Sequence, residues 1–302
     1  MNNEKHSDPV SQEGQRKTIL VTGGAGFIGS HLCERLVKDG HKVISLDNYF
    51  TGSKNNHVEG VKYIEGHTRD IESLITEIPD MIYHLGEYSR VLTSFEDIDL
   101  VWQLNSQGTF NVLEFCKNNN IRLVYAGSST KFGEFDDGGD GEDQSPYAYF
   151  KASNTKLVNN YGNWFGLDYA ITYFYNVYGE GEISEGKYST LIGIFTRKFK
   201  NKEPLSIYGS GEQKRAFTYV KDIINGLVLV GEKGKGDGYC IGSEKNYSIL
   251  EIAEMFGGEI EKVSAKKGDR NNSKIDLTKI KELGWSEGGS IEDFIEKIKN
   301  GK

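Results

Sequence analysis

The chain has 302 residues and a net charge of −8, with no basic block. That is enough for one large α/β domain or two closely joined ones, and it excludes nucleic acid and anionic membrane surfaces as large partners. No apolar run approaches the ~20 residues of a bilayer span. Residues 1–16 are polar, lack the apolar core of a signal peptide and are expected to form a disordered tail. The three cysteines (Cys33, Cys116 and Cys240) are far apart and show no metal-ligand spacing. They are expected to be reduced core thiols of a cytoplasmic protein that binds no metal.

The first informative stretch is Thr18-Ile-Leu-Val-Thr22 followed by Gly23-Gly-Ala-Gly26-Phe27-Ile28-Gly29. A short run rich in β-branched residues stops at glycines, and Phe27, Ile28, Leu32, Leu36 and Val37 then recur at helical spacing. This is strand, tight turn and helix. Gly23, Gly26 and Gly29 fall where a side chain would block the turn, the approach of a pyrophosphate, or helix–strand packing. The N–H groups left open at the helix start face an anion. A second strand, Lys42 to Leu46, ends at Asp47, 18 residues past Gly29, where a carboxylate meets an adenosine ribose diol. No arginine follows before Arg69, so NAD is favoured over NADP.

Further along, strands are expected at Val61–Ile64, Met81–Leu85 and Arg122–Ala126. Helices are expected around Asp70–Ile78 and in a long pattern from Val101 to Cys116. The alternation gives an α/β fold with a doubly wound parallel sheet and right-handed crossovers. Ligands then bind beyond the carboxyl ends of the strands, so the loops Gly23–Gly29, Leu85–Arg90 and Gly127–Thr130 face one cleft. The acidic, glycine-rich segment from Asp136 to Asp143 is read as a mobile surface loop. A helix from Tyr147 to Phe165 and a strand Tyr169–Tyr175 follow. Shorter pieces come next: Leu205–Tyr208, Phe217–Val220, a helix Asp222–Val230, Tyr239–Ile241, and helices Ile249–Phe256 and Ile291–Ile298.

Tyr147 and Lys151 begin the helix after the acidic segment, behind Ser145-Pro146. At i and i+4 their side chains share a face, with Cβ atoms roughly 5–6 Å apart. Tyr147 is the only one of the 17 tyrosines followed four residues later by lysine. A free phenol titrates near ~10, so a tyrosine that removes a proton near neutral pH needs a cation beside it. Ser128, at the end of the preceding strand, can donate to the same substrate oxygen.

Taken together these pieces resemble the NAD-dependent sugar-nucleotide epimerase/dehydratase family, the extended branch of the short-chain dehydrogenase/reductases. The resemblance runs in order from residue 18 over almost the whole chain. It is carried by Gly23–Gly29, Asp47-Asn48, His84-Leu85, Asn105 with Gly108-Thr109, Ser128 to Gly133, and Ser145-Pro146-Tyr147 with Lys151. Asn176 to Gly179, Ile207 to Gln213, Arg215 to Val220, Gly268-Asp269 and Ile275-Asp276 complete it. It implies a Rossmann-like NAD-binding domain over residues 17–175. A smaller C-terminal α/β lobe, residues 176–302, would bind a nucleotide sugar and return some strands to the first domain.

The resemblance also implies Tyr147 as base, Lys151 on the nicotinamide ribose and Ser128 assisting proton transfer. Phe27, Ile28, Asn48, His67, Thr68, Leu85, Gly86 and Asn105 would join the glycines and Asp47 at NAD. Glu87, Ser129, Thr130, Asn176, Arg215, Lys266 and Asp269 would face the substrate, with Arg215 clamping the pyrophosphate through its planar fork. It further implies a homodimer that pairs the long helices near Val101–Lys117 and Tyr147–Phe165.

The positions after Ser128 bear on the reaction. Sugar-nucleotide 4,6-dehydratases and related decarboxylases usually place a glutamate there, whereas this chain has Ser129 and Thr130. Neither hydroxyl is a competent acid or base near neutral pH. The expectation is therefore a UDP-glucose 4-epimerase-like enzyme working through a 4-keto sugar. A 4,6-dehydratase, a 4-keto reductase or a non-catalytic NAD-binding interaction protein are the alternatives. Several departures stand out. His84-Leu85-Gly86-Glu87-Tyr88-Ser89-Arg90 replaces the usual His-Leu-Ala-Ala. Glu87 is either a substitute for the missing acid or a carboxylate paired with Arg90. His67 stands in an adenine-contacting segment, and Lys266-Lys267 replaces a late arginine.

Overall fold

The computed structural model describes residues 16–134, 141–264, 272–273 and 275–301. Residues 1–15 of the expected tail and residues 136–140 of the acidic segment lie outside these, as do Lys266 and Asp269. The chain opens with β1 (Thr18–Thr22), α1 (Phe27–Lys38), β2 (Lys42–Asp47), β3 (Val61–Glu65) and β4 (Met81–His84). Then come α2 (Gly108–Asn119), β5 (Arg122–Ala126), α3 (Pro146–Phe165) and β6 (Tyr169–Phe174). The rest holds α4 (Leu191–Lys200), α5 (Val220–Lys233), β7 (Gly236–Ile241), α6 (Ile249–Phe256) and α7 (Ile291–Lys299).

The seven strands form one sheet in the order β7-β6-β5-β4-β1-β2-β3, and every neighbouring pair is parallel. Parallel strands packed on both faces read as continuous apolar runs, and Ile19, Leu20 and Val21 of β1 are buried accordingly. Strand order reverses between β1 and β4, so a crevice opens at their carboxyl ends. Ser145 caps α3 by accepting the Ala148 N–H (3.1 Å), Pro146 takes its first turn, and Gly166 ends it with φ +70°. That cap fixes the phase of the helix and turns Lys151 into the protein, where it is buried.

A second apolar cluster draws Tyr178, Phe195, Ile207, Phe217, Phe256 and Ile295 together from α4, α6, α7 and the short strands between them. Leu205–Tyr208 pairs in parallel with Ile260–Val263. The helix α6 carries a reciprocal cap, with Ser248 Oγ accepting the Glu251 N–H and Glu251 accepting the Ser248 N–H. Cys33, Cys116 and Cys240 are buried and free, and burial pushes the Cys33 thiol up to about 12.

Two helices differ from expectation. The predicted helix Asp70–Ile78 is a tight turn, Thr68–Asp70, followed by one helical turn, Ile71–Leu74. Ile75 is already extended, and Pro79 disfavours helix in the residue before it. The long pattern before Cys116 starts earlier, at Ile98–Val101, and passes through a π-helical turn, Trp102–Gln107, before α2. Such wide turns concentrate at functional sites, and this one carries Asn105.

Gly29 is the tightest point of the nucleotide-binding turn. A Cβ there would stand 2.0 Å from the Gly23 carbonyl oxygen, and main chain cannot rotate away as a side chain can. Gly29→Ala is expected to lower unfolding free energy by about 1–3 kcal/mol, read from the urea denaturation midpoint. An unchanged midpoint would mean that the turn is not held this closely.

Candidate active site

The crevice at the β1–β4 reversal is walled by the carboxyl ends of β1, β2, β4, β5 and β6 and by Ile183 and Thr190. Gly23, with φ +73°, donates its N–H to the Leu46 carbonyl (2.9 Å). It lies so close to the loop after β4 that a Cβ would meet the Gly86 Cα at 2.8 Å. Thr22 Oγ1 accepts the N–H groups of Leu85 (3.1 Å) and Gly86 (2.9 Å), so both loops are fixed to each other across the crevice floor. Gly26, Phe27, Ile28 and Gly29 line the same wall.

Asp47 sits at one end of this cleft. Its carboxylate accepts the Ala25 N–H (2.9 Å) and the Tyr49 N–H (2.8 Å), and burial raises its pKa despite those bonds. Asn48 and Thr68 line the cleft beside it. His67 Nδ1 lies 3.4 Å from Asn48 Nδ2. No arginine lies among the residues around Asp47 in this wall. An open glycine cradle at a helix start and a strand-end carboxylate fit the diphosphate and adenosine ribose of NAD.

Tyr147 and Lys151 line the opposite end, with Gly86, Glu87, Tyr88 and Arg90. Lys151 bonds the Ala126 carbonyl and the carboxylate of Glu87. The two side chains are 5% and 3% exposed, so this is a buried ion pair. The other Glu87 oxygen accepts from Thr109 Oγ1 (3.0 Å), Tyr125 Oη (3.1 Å) and Asn154 Nδ2 (3.0 Å). Behind it, His84 joins Thr22 Oγ1 (2.7 Å) to Thr109 Oγ1 (3.0 Å). Burial pulls the His84 imidazole down to about 4, so it is neutral near pH 7. Glu87 therefore pairs with Lys151, and the expected pairing with Arg90 is replaced. The Arg90 guanidinium bonds the Tyr188 carbonyl (2.7 Å) and Ser89.

The remaining sequence candidates are dispersed. Ser128 is buried and accepts the Thr130 hydroxyl (2.9 Å). With Ser129 it lies in the loop behind Gly127, which itself reaches the cleft. Asn105 is fully buried. Its Oδ1 accepts the Tyr88 N–H (2.7 Å) and its Nδ2 donates to the Tyr88 carbonyl (3.1 Å), so it steadies the loop after β4. Asn176, with φ +31°, lines the cleft and donates to the Ala216 carbonyl (2.9 Å). Arg215 lies on the strand Lys214–Ala216, opposite Tyr247, and is not among the cleft-lining residues.

Sequence reasoning missed three contributors. Asn154 and Tyr125 hold Glu87. The signal for Asn154 was its place three residues after Lys151, on the same helix face. Glu182 is the third. Its carboxylate accepts the Gly179 N–H (3.2 Å), and burial pushes it up to about 7 against the pull of Thr190, Gly179 and Arg90.

Comparison with known proteins agrees with this geometry. Residues 19–242 match the model of the "NAD dependent epimerase/dehydratase family". A UDP-glucuronic acid decarboxylase 1 of Xenopus tropicalis is 31% identical over 94% of this chain and 72% of its own length. A putative UDP-glucose 4-epimerase of Methanocaldococcus jannaschii is 30% identical over 93% of this chain and 97% of its own. The crystal structure of the Thermus thermophilus UDP-glucose 4-epimerase in complex with NAD superposes with a TM-score of 0.83. It has 26% identity and covers 94% of this chain and all of that one. With a sheet that reverses at β1 and β4, a glycine cradle and a Tyr147–Lys151 pair in one cleft, the chain is a member of the NAD-dependent epimerase/dehydratase family and takes NAD as its cofactor.

Proposed function

We propose that this enzyme is a sugar-nucleotide 4-epimerase acting on a UDP-sugar. The observation that carries this reading is the fate of the acids in the cleft. Among the described residues lining it, Asp47 and Glu87 are the carboxylates. Asp47 lies at the adenosine end, and Glu87 has both oxygens bonded inside the protein. The loop after Ser128 offers only Ser129 and Thr130. A dehydratase or decarboxylase needs a proton donor near carbon 5 or 6, whereas an epimerase needs only one base at carbon 4. The names of the relatives divide between 4-epimerases and decarboxylases, so the reading rests on the acids of the cleft.

In this mechanism Tyr147 takes the proton of the sugar 4-hydroxyl and later returns it. Lys151, held by Glu87 and the Ala126 carbonyl, would orient the nicotinamide ribose. NAD⁺, held by the Gly23–Gly29 turn and Asp47, would supply the hydride acceptor for carbon 4. Ser128 would steady the sugar oxygen, and the lobe of residues 176–302, with Asn176 and Arg215, would hold the nucleotide. Residues 17–175 form the NAD-binding part in this proposal.

A second reading rests on Glu182. A carboxylic acid that keeps its proton to about 7 beside Arg90 is the group a lyase would use. Under the epimerase reading Glu182→Gln retains turnover within a few-fold. The same variant has a stability signature. The native group is protonated up to about 7 while the unfolded one titrates near 4.5. Native stability therefore falls as pH rises from 4.5 to 7 and stays lower above it. Glu182→Gln is expected to raise Tm at pH 8 by on the order of a few °C and to leave it unchanged at pH 4.5. A difference of the same size at both pH values would contradict the buried-acid assignment.

The homodimer belongs to the same proposal. It is supported by the exposed Trp102, Phe110, Tyr149 and Trp164 along α2, α3 and the turn before them, a large apolar face for a monomer to leave in water.

Incubation with UDP-, dTDP- and GDP-sugars, with products identified by NMR, tests the assignment. The expected product is the 4-epimer of a UDP-sugar, with no 4-keto-6-deoxy or decarboxylated species. Tyr147→Phe should reduce kcat by about 10²–10⁴-fold, the usual contribution of an acid–base group. Undiminished turnover would remove Tyr147 from the mechanism.

A further inference from the structure

We propose that Glu87 is a positioning residue that acts through Lys151, fixing its ammonium and cancelling much of its charge towards Tyr147. This rests on the reading of Tyr147 as base. The ion pair is closed to solvent, with side chains 5% and 3% exposed. Four donors converge on the carboxylate from three elements: Lys151 and Asn154 of α3, Thr109 of α2 and Tyr125 of β5. A carboxylate bonded on both oxygens inside the protein is not placed to serve as the acid of a lyase.

A buried carboxylate without a cation is strongly disfavoured, and so is a buried ammonium without an anion. Each therefore holds the other in one position. The Lys151 ammonium has three N–H groups; Glu87 and the Ala126 carbonyl take two, and the ammonium also lies over the Tyr125 ring, 4.6 Å from its centroid. The orientation is gained, and the net charge of the pair is near zero.

The electrostatic consequence concerns Tyr147. The charged and titratable groups around it are Lys151 on its own helix, Arg90 and Glu87 of the loop after β4, and Tyr125 of β5. Tyr88 packs in the same apolar cluster. His84, behind Glu87, is neutral. With the Lys151 ammonium kept charged by the Ala126 carbonyl and the bound cofactor, removing the Glu87 charge leaves Lys151 and Arg90 acting on the phenol unopposed, which favours its ionised form.

The chain resembles a family that usually has alanine at this position, so both Glu87→Gln and Glu87→Ala are compatible with the backbone. Glu87→Gln keeps the shape and most hydrogen bonds, whereas Glu87→Ala removes both charge and bonds. The test is an ultraviolet titration of tyrosinate near 295 nm on NAD⁺-loaded wild type and both variants. Tyr147→Phe identifies the component that belongs to residue 147. The expected result is that this component moves to the acid side in both variants, and that the acid limb of the kcat profile moves with it.

Displacement in Glu87→Ala alone would mean that hydrogen bonds and not charge are responsible, and would overturn the proposal. No displacement in either folded variant would overturn it equally. If Glu87→Ala fails to fold, Glu87→Gln carries the test, because it removes the charge and keeps most of the hydrogen bonds. If Glu87→Gln fails to fold, Glu87→Asp, which keeps the charge, is the control that must show no displacement when Glu87→Ala does. Absence of any component that Tyr147→Phe removes would instead refute the base assignment, and this inference with it.

Discussion

The buried contact between the Lys151 ammonium and the Glu87 carboxylate is the point on which the rest of the site depends. Four elements meet there: the loop after β4, the start of α2, the end of β5 and the first turns of α3. A charge pair removed from water is stable only when its remaining hydrogen-bonding capacity is filled. Thr109, Tyr125, Asn154 and the Ala126 carbonyl fill it here, and the need to fill it fixes how those elements approach one another. His84 extends the network back to Thr22 at the end of β1. The nucleotide-binding turn and Lys151 are thereby tied into one polar core.

The parallel sheet supplies the place, and the reversal between β1 and β4 supplies the opening. Glycine appears wherever two main chains must touch at that opening. Gly23 against Gly86 closes the floor, and Gly29 against Gly23 seats α1 on β1. The far end is closed by side chains. Arg90 reaches the Tyr188 carbonyl, and Tyr188 Oη donates to Asp97 (2.9 Å), as does the Tyr88 hydroxyl (2.9 Å). The residues that depart from the family pattern, Glu87, Tyr88 and Arg90, are those that build this end. They change this end of the cleft and leave the glycine cradle and Asp47 as they are.

Much of this was legible in the sequence because it is local. Apolar runs bounded by glycines mark β1 and β2, and the i, i+4 spacing of Tyr147 and Lys151 survives folding because α3 is capped by Ser145 and Pro146. What escaped depends on contacts distant in the chain. The partner of Glu87 is 64 residues away, so proximity in sequence suggested Arg90 instead. Helix α4 was hidden by Gly193 in its first turn. That glycine is required because a Cβ would stand 2.7 Å from the Ile183 carbonyl oxygen. The π-helical turn at Trp102–Gln107 has no signature in composition. Only the clamp between Asn105 and Tyr88 explains why the helix widens there.

The central claim is that one tyrosine and a retained cofactor invert carbon 4 without losing hydrogen to solvent. The most direct measurement is turnover of a UDP-hexose deuterated at carbon 4, in ordinary water, followed by NMR. The account predicts that deuterium remains at carbon 4 in both epimers at equilibrium. Washout of the label, or its transfer to carbon 6 of a 4-keto product, would contradict it.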